Sequence, residues 1–364
     1  DLLDGELKVD NLKFVGLSVM KVQNGLIPTF ISGDVNSNTT WGPGLYYVMG
    51  NVNIYDTLTI EPGTHVVFRG NYRILQKTGA LVARGTAADS IIFTAADTSV
   101  GWRGLQFNGG KGDFRYVSLS YGRDGGCLSL GKASVSVANS HFSHCVARIG
   151  GGAIYNYGQL FISGSVFDRN TSQGLGSAIY NESGGTVSIS SSLFAYNTGN
   201  IVSYNWNGVM NILNSTFVGN SSETCINNAK TVVNSIVLGG TINASDTSHN
   251  FTANDGSIAF VDSANGDFRL SAASPAVNAG TSEKVALDSL DLAGNPRVAM
   301  GTVDIGAYER ENTAPVKAAD FAPVLLKEDA APYAATLGGA SADLHLSDYF
   351  SDADKTVGDS LRIA

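Results

Sequence analysis

Short runs in which apolar and small polar residues alternate recur through the middle of this chain. Strict alternation is typical of β-strands that bury one face, because successive side chains point to opposite sides of the backbone. Each run is short and is bounded by Gly, Asn or Ser, which are turn residues. The pattern therefore predicts many short strands. The clearest runs are residues 135–138, 160–163, 187–190 and 210–213.

A six-residue motif repeats in phase with these strands. Its copies are Ser140-His-Phe-Ser-His-Cys145, Ser165-Val-Phe-Asp-Arg-Asn170, Ser192-Leu-Phe-Ala-Tyr-Asn197 and Ser215-Thr-Phe-Val-Gly-Asn220, with a weaker copy at Ser235. Successive serines are 25, 27, 23 and 20 residues apart. These periods are too short for a strand plus a crossover helix, which needs about 30 residues. One coil of three short strands fits them, so we expect an all-β, right-handed parallel β-helix, a solenoid of stacked coils.

Stacked coils place equivalent side chains over one another, about 4.8 Å apart. We therefore expect a buried column of four phenylalanines and a ladder of three asparagines, whose amides satisfy turn backbone that would otherwise be unpaired. The column consists of Phe142, Phe167, Phe194 and Phe217, and the ladder of Asn170, Asn197 and Asn220.

Several segments resemble known families. Trp41, Leu58-Thr-Ile-Glu-Pro-Gly63 and Gly85-Thr-Ala-Ala-Asp-Ser-Ile-Ile-Phe-Thr94 resemble bacterial pectate-lyase-like β-helix proteins, and the Gly151-Gly-Ala-Ile-Tyr-Asn156 repeat resembles polymorphic outer-membrane-protein passengers. Asp291-Leu-Ala-Gly-Asn-Pro-Arg297 and Asp304-Ile-Gly-Ala-Tyr-Glu309 resemble the C-terminal end of choice-of-anchor Q proteins. The resemblance implies a large secreted or cell-surface bacterial protein, usually without a defined activity.

The last part of the chain differs in character. Asn312-Thr-Ala-Pro315 and Asp348-Tyr-Phe-Ser-Asp-Ala-Asp354 resemble the opening of cadherin-like or VCBS-like adhesin modules. In such modules acidic loops bind Ca²⁺, and the carboxylates of Asp352, Asp354 and Asp359 are hard-oxygen ligands that suit this ion. A solvated turn is the alternative interpretation.

These features divide the chain into three parts. We expect residues 1–39 to be an N-terminal cap or strands of a preceding module. Residues 40–311 would form the β-helix, with residues 266–309 as its C-terminal capping region. Residues 312–364 would be a linker and a partial cadherin-like module that resembles part of a β-sandwich. Because the remaining length is too short for a whole module, we expect the module to be either truncated or completed by another chain.

Composition narrows the possible partners. The net charge of −9 provides no basic stripe for nucleic acid. No apolar run approaches the roughly 18 residues that a membrane span needs, so we expect no membrane insertion. The three cysteines, Cys127, Cys145 and Cys225, are too few and too odd in number for a disulfide framework. We expect all three to be buried small residues.

Candidate chemistry concentrates at one place in the repeat. The alignment brings together His144, Arg169 and Tyr196, with Asp168 beside them. Asp168, Arg169 and His144 are catalytic candidates; Tyr196, Arg169 and His144 could instead line a sugar-binding groove, or all could be ordinary surface residues. A glycoside hydrolase needs a second carboxylate about 5–9.5 Å away, and the alignment offers only Ser143 and Ala195 at the position of Asp168.

The sequence therefore favours a non-enzymatic extracellular or cell-surface structural or adhesive protein. Its expected partners are polysaccharides or cell-surface glycans, or other copies of itself joined by strand complementation. A polysaccharide lyase or glycoside hydrolase acting on an acidic polysaccharide is the alternative. Apart from the Ca²⁺ suggested for the tail, no cofactor is indicated.

Overall fold

The backbone winds into coils, each of which pairs in parallel with the coil before it. The computed structural model describes residues 28–252, 258–285, 289–298 and 302–310. Elsewhere it places two antiparallel pairs of two-residue strands, Leu2–Leu3 with Glu6–Leu7 and Val316–Lys317 with Phe350–Ser351. The predicted all-β parallel β-helix is confirmed, with about nine coils.

Each coil contributes one strand to each of three parallel sheets. The first sheet contains Thr64–Phe68, Ile91–Ala95, Val117–Ser120, His141–Ser143, Val166–Asp168, Leu193–Ala195, Thr216–Val218 and Ile236–Val237. The second contains Ile74–Gln76, Leu105–Phe107, Leu128–Leu130, Ile154–Asn156, Ile179–Asn181 and Ile201–Asn205. The third contains Thr39–Trp41, Thr57–Ile60, Ala80–Arg84, Lys111–Arg115, Ser134–Ala138, Gln159–Ser163, Thr186–Ser190 and Val209–Leu213.

Four longer strands turn a corner and belong to two sheets. Thr29–Val35 and Gly44–Ile54 run from the first sheet into the second. Thr224–Val233 and Thr241–Ser248 run from the second into the third. The parallel pairing of the described coils thus begins at Thr29, within the range that the sequence assigns to an N-terminal cap.

The interior is filled by like residues from successive coils. The rings of Phe142, Phe167, Phe194 and Phe217 stack with centroids 5.0, 4.8 and 4.4 Å apart. At the following turn, the side-chain amide of Asn170 donates to Asn197, and that of Asn197 donates to Asn220, each over 3.0 Å. A second ladder of Asn156, Asn181 and Asn205 has 2.7 Å links. The first ladder satisfies buried turn backbone as predicted, and the second, which was not predicted, does the same at another corner.

All three cysteines are buried, as expected, but the expectation of no disulfide is wrong for two of them. Cys127 and Cys145 form a disulfide that joins two successive coils, with Cα atoms 5.5 Å apart. An odd number of cysteines excludes complete pairing but does not exclude one bond, and winding brings the two residues together at a corner. Cys225 is free and buried, as expected.

The segment after the last coil packs against the side of the β-helix. It contains the antiparallel strands Phe260–Asp262 and Asp267–Leu270 and the 3₁₀ helix Ser263–Asn265. Leu193, Thr216 and Ile236 occupy outward positions of the first sheet, yet this segment buries them. It therefore covers the outer face of the first sheet over the last coils. No helix in the described ranges is long and apolar enough to span a membrane.

One short pairing lies beside the three main sheets. Val146–Ala147 and Thr171–Ser172 form a short parallel pair beside the main sheets. Both follow the first-sheet strand of their coil and precede its second-sheet strand. They therefore lie at the same corner as the ladder of Asn170, Asn197 and Asn220.

Candidate functional site

Four side chains stack along the corner that follows the first sheet. Tyr121, His144, Arg169 and Tyr196 have φ angles of 61°, 55°, 52° and 56°, so the backbone turns in the left-handed region at the same place in four successive coils. The rings of Tyr121 and His144 are 5.1 Å apart. The guanidinium of Arg169 lies 5.3 Å from the centroid of the Tyr196 ring. We call these four residues the lateral ladder.

The lateral ladder leaves little aromatic surface for a ligand. His144 is covered by Tyr121 on one side, and Tyr196 contacts both Arg169 and Phe268, whose ring lies 6.0 Å away. Sugar stacking needs an open ring face, since the contact is made by the π surface. The ladder therefore has the geometry of coil-to-coil packing more than that of a sugar platform.

Asp168 is held between a histidine and an arginine beside the lateral ladder. Its carboxylate accepts hydrogen bonds from His141 and from Arg169, and the residue is 8 % exposed. Burial raises the pKa of Asp168, but the hydrogen bonds and charges of His141 and Arg169 outweigh burial and hold it below its ordinary value. Asp168 is thus ionised at neutral pH, which does not suit a general acid.

His141 is a candidate site residue that the sequence pattern did not indicate. Alignment of the repeats relates only residues at equivalent positions, and it places His144 near Asp168. The structure brings His141 to Asp168 instead, because His141 pairs in register with Val166 and its side chain reaches diagonally to the next coil. The sequence did contain a signal: His141 lies two residues before Ser143, which aligns with Asp168 in the next coil.

The second carboxylate that a glycoside hydrolase needs is not found in register with Asp168. The residues in register with Asp168 are Ser143 and Ala195, as the alignment predicts, so neither neighbouring coil supplies a second carboxylate there. Among the described residues, no group of three or more His, Cys, Asp or Glu could hold a metal ion. Asp352, Asp354 and Asp359, the residues suggested for Ca²⁺, lie outside the described ranges, and that suggestion stays a prediction.

A column of tyrosines lies on the outer face of the second sheet. The rings of Tyr155 and Tyr180 are 5.1 Å apart and nearly parallel, and Tyr204 follows at 5.2 Å. The hydroxyl of Tyr155 donates to the carboxylate of Glu182 over 2.6 Å. Burial and this carboxylate raise the pKa of Tyr155. Because the rings cover one another, this column is also mainly a packing feature.

The outer face of the third sheet is different, because its aromatic rings are open. Two adjacent shallow depressions of about 520 and 510 Å³ lie on it. Phe161 and Tyr157 stand beside them, 47 % and 42 % exposed, and no other described ring packs on either. Apolar residues contribute to the lining as well, namely Ala133, Ile162, Ile189 and Leu213. Most of the floor consists of small polar residues: Ser134, Ser136, Ser163, Thr186, Ser188, Ser190, Asn211 and Thr231. We call this surface the third-sheet groove.

Strand periodicity explains how the third-sheet groove forms. Ser136, Phe161, Ser188, Asn211 and Thr231 are aligned in register across five coils, all on the outward side. Small side chains on both sides of Phe161 leave its ring standing above a polar floor. Hydroxyls and amides both donate and accept hydrogen bonds. The groove can thus bind a long polar molecule that also has apolar faces.

Comparison with known proteins adds one similarity. No protein-family model matches this sequence, and no curated protein matches it. The crystal structure of pectate lyase Pel9A is similar to this chain at 14 % sequence identity and a TM-score of 0.38, over 69 % of this chain and 89 % of that chain. A similarity at this level carries no functional argument, so the site must be judged from its own geometry.

Proposed function

We propose that this protein is an extracellular or cell-surface β-helix that binds a linear glycan along the third-sheet groove, without cleaving it. The observation that carries the proposal is the pair of open rings, Tyr157 and Phe161, above a floor of hydroxyl and amide side chains. Pyranose rings offer apolar C–H faces for aromatic contact and hydroxyls for hydrogen bonding. An extended polysaccharide would meet both along the groove.

The repeat of the solenoid supports a linear ligand. Successive coils are about 4.8 Å apart, which is on the scale of one pyranose unit. Equivalent outward residues such as Ser188 and Asn211 therefore recur at a spacing that matches a polymer of sugars. A regular surface of this kind suits adhesion or retention in a matrix, where many weak contacts add up.

Binding without turnover is supported by the state of Asp168. This carboxylate is already engaged by His141 and by the Arg169 guanidinium, and the described part of the neighbouring coils offers no second acid in register with it. The extracellular assignment is supported by the Cys127–Cys145 disulfide, since such bonds persist mainly in oxidising compartments.

The test is a glycan array followed by titration with the best ligand. We expect Phe161→Ala and Tyr157→Ala each to weaken binding about tenfold, the scale of one aromatic contact. Phe30→Ala is the matched control, because Phe30 is equally exposed but lies in Thr29–Val35, on another part of the coil surface. Its affinity should equal that of the wild type.

Two results would overturn the proposal. One is equal affinity of the wild type and the Phe161→Ala and Tyr157→Ala variants for every glycan that binds. The other is turnover, detected as new reducing ends or as ultraviolet absorbance of unsaturated uronates during incubation with polysaccharides. If the Asp168→Ala variant lost that turnover, the functional site would have to be assigned to Asp168 beside the lateral ladder.

A further inference from the structure

The charges along the third-sheet groove all have one sign. Its two depressions are lined by Lys111, Lys132 and Lys284, and by no Asp or Glu. The whole chain carries 32 acidic and 23 basic residues, so a groove with only basic residues departs from the character of the protein. The remaining lining residues are uncharged, so these lysines are the charged side chains of the lining.

Two of these lysines have no counter-ion. Lys284 pairs with Asp246 over 2.6 Å. Lys111 and Lys132 are exposed, and neither forms an ion pair with any described residue. They lie one coil apart: Lys111 is in register with Ser134, and Lys132 comes two residues before Ser134.

Two carboxylates close to this end of the groove in sequence have partners other than the lysines. Asp113, in the same strand as Lys111, forms an ion pair with Arg84. Glu182, which precedes the groove residue Gly184, accepts hydrogen bonds from the Tyr155 hydroxyl and the Ser183 backbone amide. Neither acid forms an ion pair with Lys111 or Lys132, and neither lines the depression that contains the two lysines, so an anionic ligand group there would meet two ammonium groups without displacing a carboxylate.

The lysines also lie beside an open ring. Lys132 and Tyr157 lie in the turns that precede the in-register residues Ser134 and Gln159 of two successive coils, and both line the same depression as Lys111. A sugar stacked on Tyr157 would thus bring its substituents close to the Lys132 ammonium, which is a compact cation with three donors. A carboxylate or sulfate on that sugar would complete the pairing that the protein leaves open.

We infer that the ligand of the third-sheet groove is an anionic polysaccharide, whose carboxylate or sulfate groups pair with Lys111 and Lys132. This inference rests on the proposed function and names the ligand class of the same site. Both anions present oxygen acceptors to an ammonium, so the chemistry recognised is the same for uronates and sulfated sugars.

The test compares polymers that differ only in charge. Dextran sulfate is set against dextran, and polygalacturonate against its methyl-esterified form, with binding followed by surface plasmon resonance. We expect the wild type to prefer the charged member of at least one pair, and to lose that preference as salt rises, because exposed charges are screened. Preference in the uronate pair alone assigns carboxylate recognition, and in the sulfate pair alone assigns sulfate recognition.

Substitution of the lysines localises the effect. Lys111→Gln and Lys132→Gln should each weaken binding of the charged polymer about two- to fivefold, as expected for an exposed ion pair. The double variant should bind charged and neutral polymers alike. Arg148→Gln is the matched control, since it removes an exposed cation at a different corner of the coil and should change nothing.

Failure of this inference can be told apart from failure of the proposed function. If the wild type binds both members of each pair equally, or if the double variant keeps its preference, the anionic assignment is overturned. Should Phe161→Ala still weaken binding in that case, the groove remains a glycan site for neutral chains. If no glycan binding depends on Phe161 or Tyr157, both fail together.

Discussion

Phe167 shows what a single residue contributes to this fold. Its ring lies between those of Phe142 and Phe194, at 5.0 and 4.8 Å, and is fully buried. We expect Phe167→Ala to lower the free energy of unfolding by about 3–5 kcal/mol, because it empties a site that the stacked coils cannot close. Urea denaturation measures this loss.

Phe161 provides the matched comparison in the same coil. Its side chain points outward, so Phe161→Ala should change stability by no more than about 0.5 kcal/mol. A similar loss for both substitutions would contradict the assignment of Phe167 to the core and Phe161 to the groove.

Asp168 should make stability depend on pH in the acid range. Its pKa in the folded protein is held below its ordinary value by His141 and Arg169, despite burial. A lowered pKa gives stability that is present above the unfolded value, about 3.9, and is lost as pH falls through the folded value. We expect Asp168→Asn to cost about 1–3 kcal/mol at neutral pH. The difference from the wild type should shrink towards zero in acid, and a pH-independent difference would contradict the paired carboxylate.

The serines of the repeat show what residue patterns can and cannot reveal. The sequence locates Ser165, Ser192 and Ser215 at equal positions in three coils. In the structure the Ser192 hydroxyl accepts from the Ser165 backbone amide and donates to the carbonyl of Ser190, and Ser215 repeats this arrangement. The spacing was readable because it is periodic, but the role of the hydroxyl depends on a corner geometry that no linear pattern contains.

At the scale of elements, repeated strands were predictable and the C-terminal segment was not. Because the coils repeat, the recurring Phe and Asn positions predict which residues of successive coils align. The cover over the first sheet is a non-local contact, made for example by the Ala307 amide donating to the Thr216 hydroxyl over 2.9 Å. A weak signal existed in Leu193 and Ile236, which are apolar at outward positions where an earlier coil carries His141.

A buried charge cluster holds that C-terminal segment together. Arg297 is fully buried and lies 3.6 Å from the Glu309 carboxylate, and the Arg297 guanidinium also donates to the carbonyl of Gly306. Asp291 accepts from the Glu309 amide, and Asp304 accepts from the Arg310 amide. Three acids surround one arginine, so burial and the neighbouring Asp304 charge raise the pKa of Glu309 to about 8, although Arg297 lowers it.

This cluster predicts a pH dependence of opposite sign to that of Asp168. A raised carboxyl pKa gives stability that is complete below the unfolded value, about 4.3, and is lost as pH rises through about 8. Glu309→Gln mimics the protonated acid, so we expect the variant to be more stable than the wild type above that pH, by on the order of 1 kcal/mol. Thermal unfolding across the pH range measures the effect, with Glu61→Gln at an exposed turn as the control. A variant that is less stable at every pH would contradict the protonated state.

At the scale of the whole molecule, the disulfide is the feature that the sequence concealed. Cys127 and Cys145 occupy positions where later coils carry Ala and Asn, and only the winding of the chain brings them together. We expect reduction to lower the free energy of unfolding by about 3 kcal/mol, since the bond closes a loop of 18 residues. Denaturation with and without reductant measures the loss, and Cys225→Ser controls for thiol chemistry. Equal stability in both conditions would contradict a structural role.

The expected assembly with other copies of this chain stays a prediction. It was based on a partial module in residues 312–364, of which only Val316–Lys317 and Phe350–Ser351 are placed. The proposed function is based instead on the outer surfaces of the described coils. On them, packed rings mark structural ladders, whereas open rings above a polar floor mark the third-sheet groove.

The most direct test of this account is a crystal structure of the protein with a bound anionic oligosaccharide. The account predicts sugar units lying across strands Ser134–Ala138, Gln159–Ser163 and Thr186–Ser190, in contact with Tyr157 and Phe161 and with an anionic group near Lys132. An oligosaccharide seated beside Arg169 or on the tyrosine column of the second sheet, with the third-sheet groove empty, would contradict it.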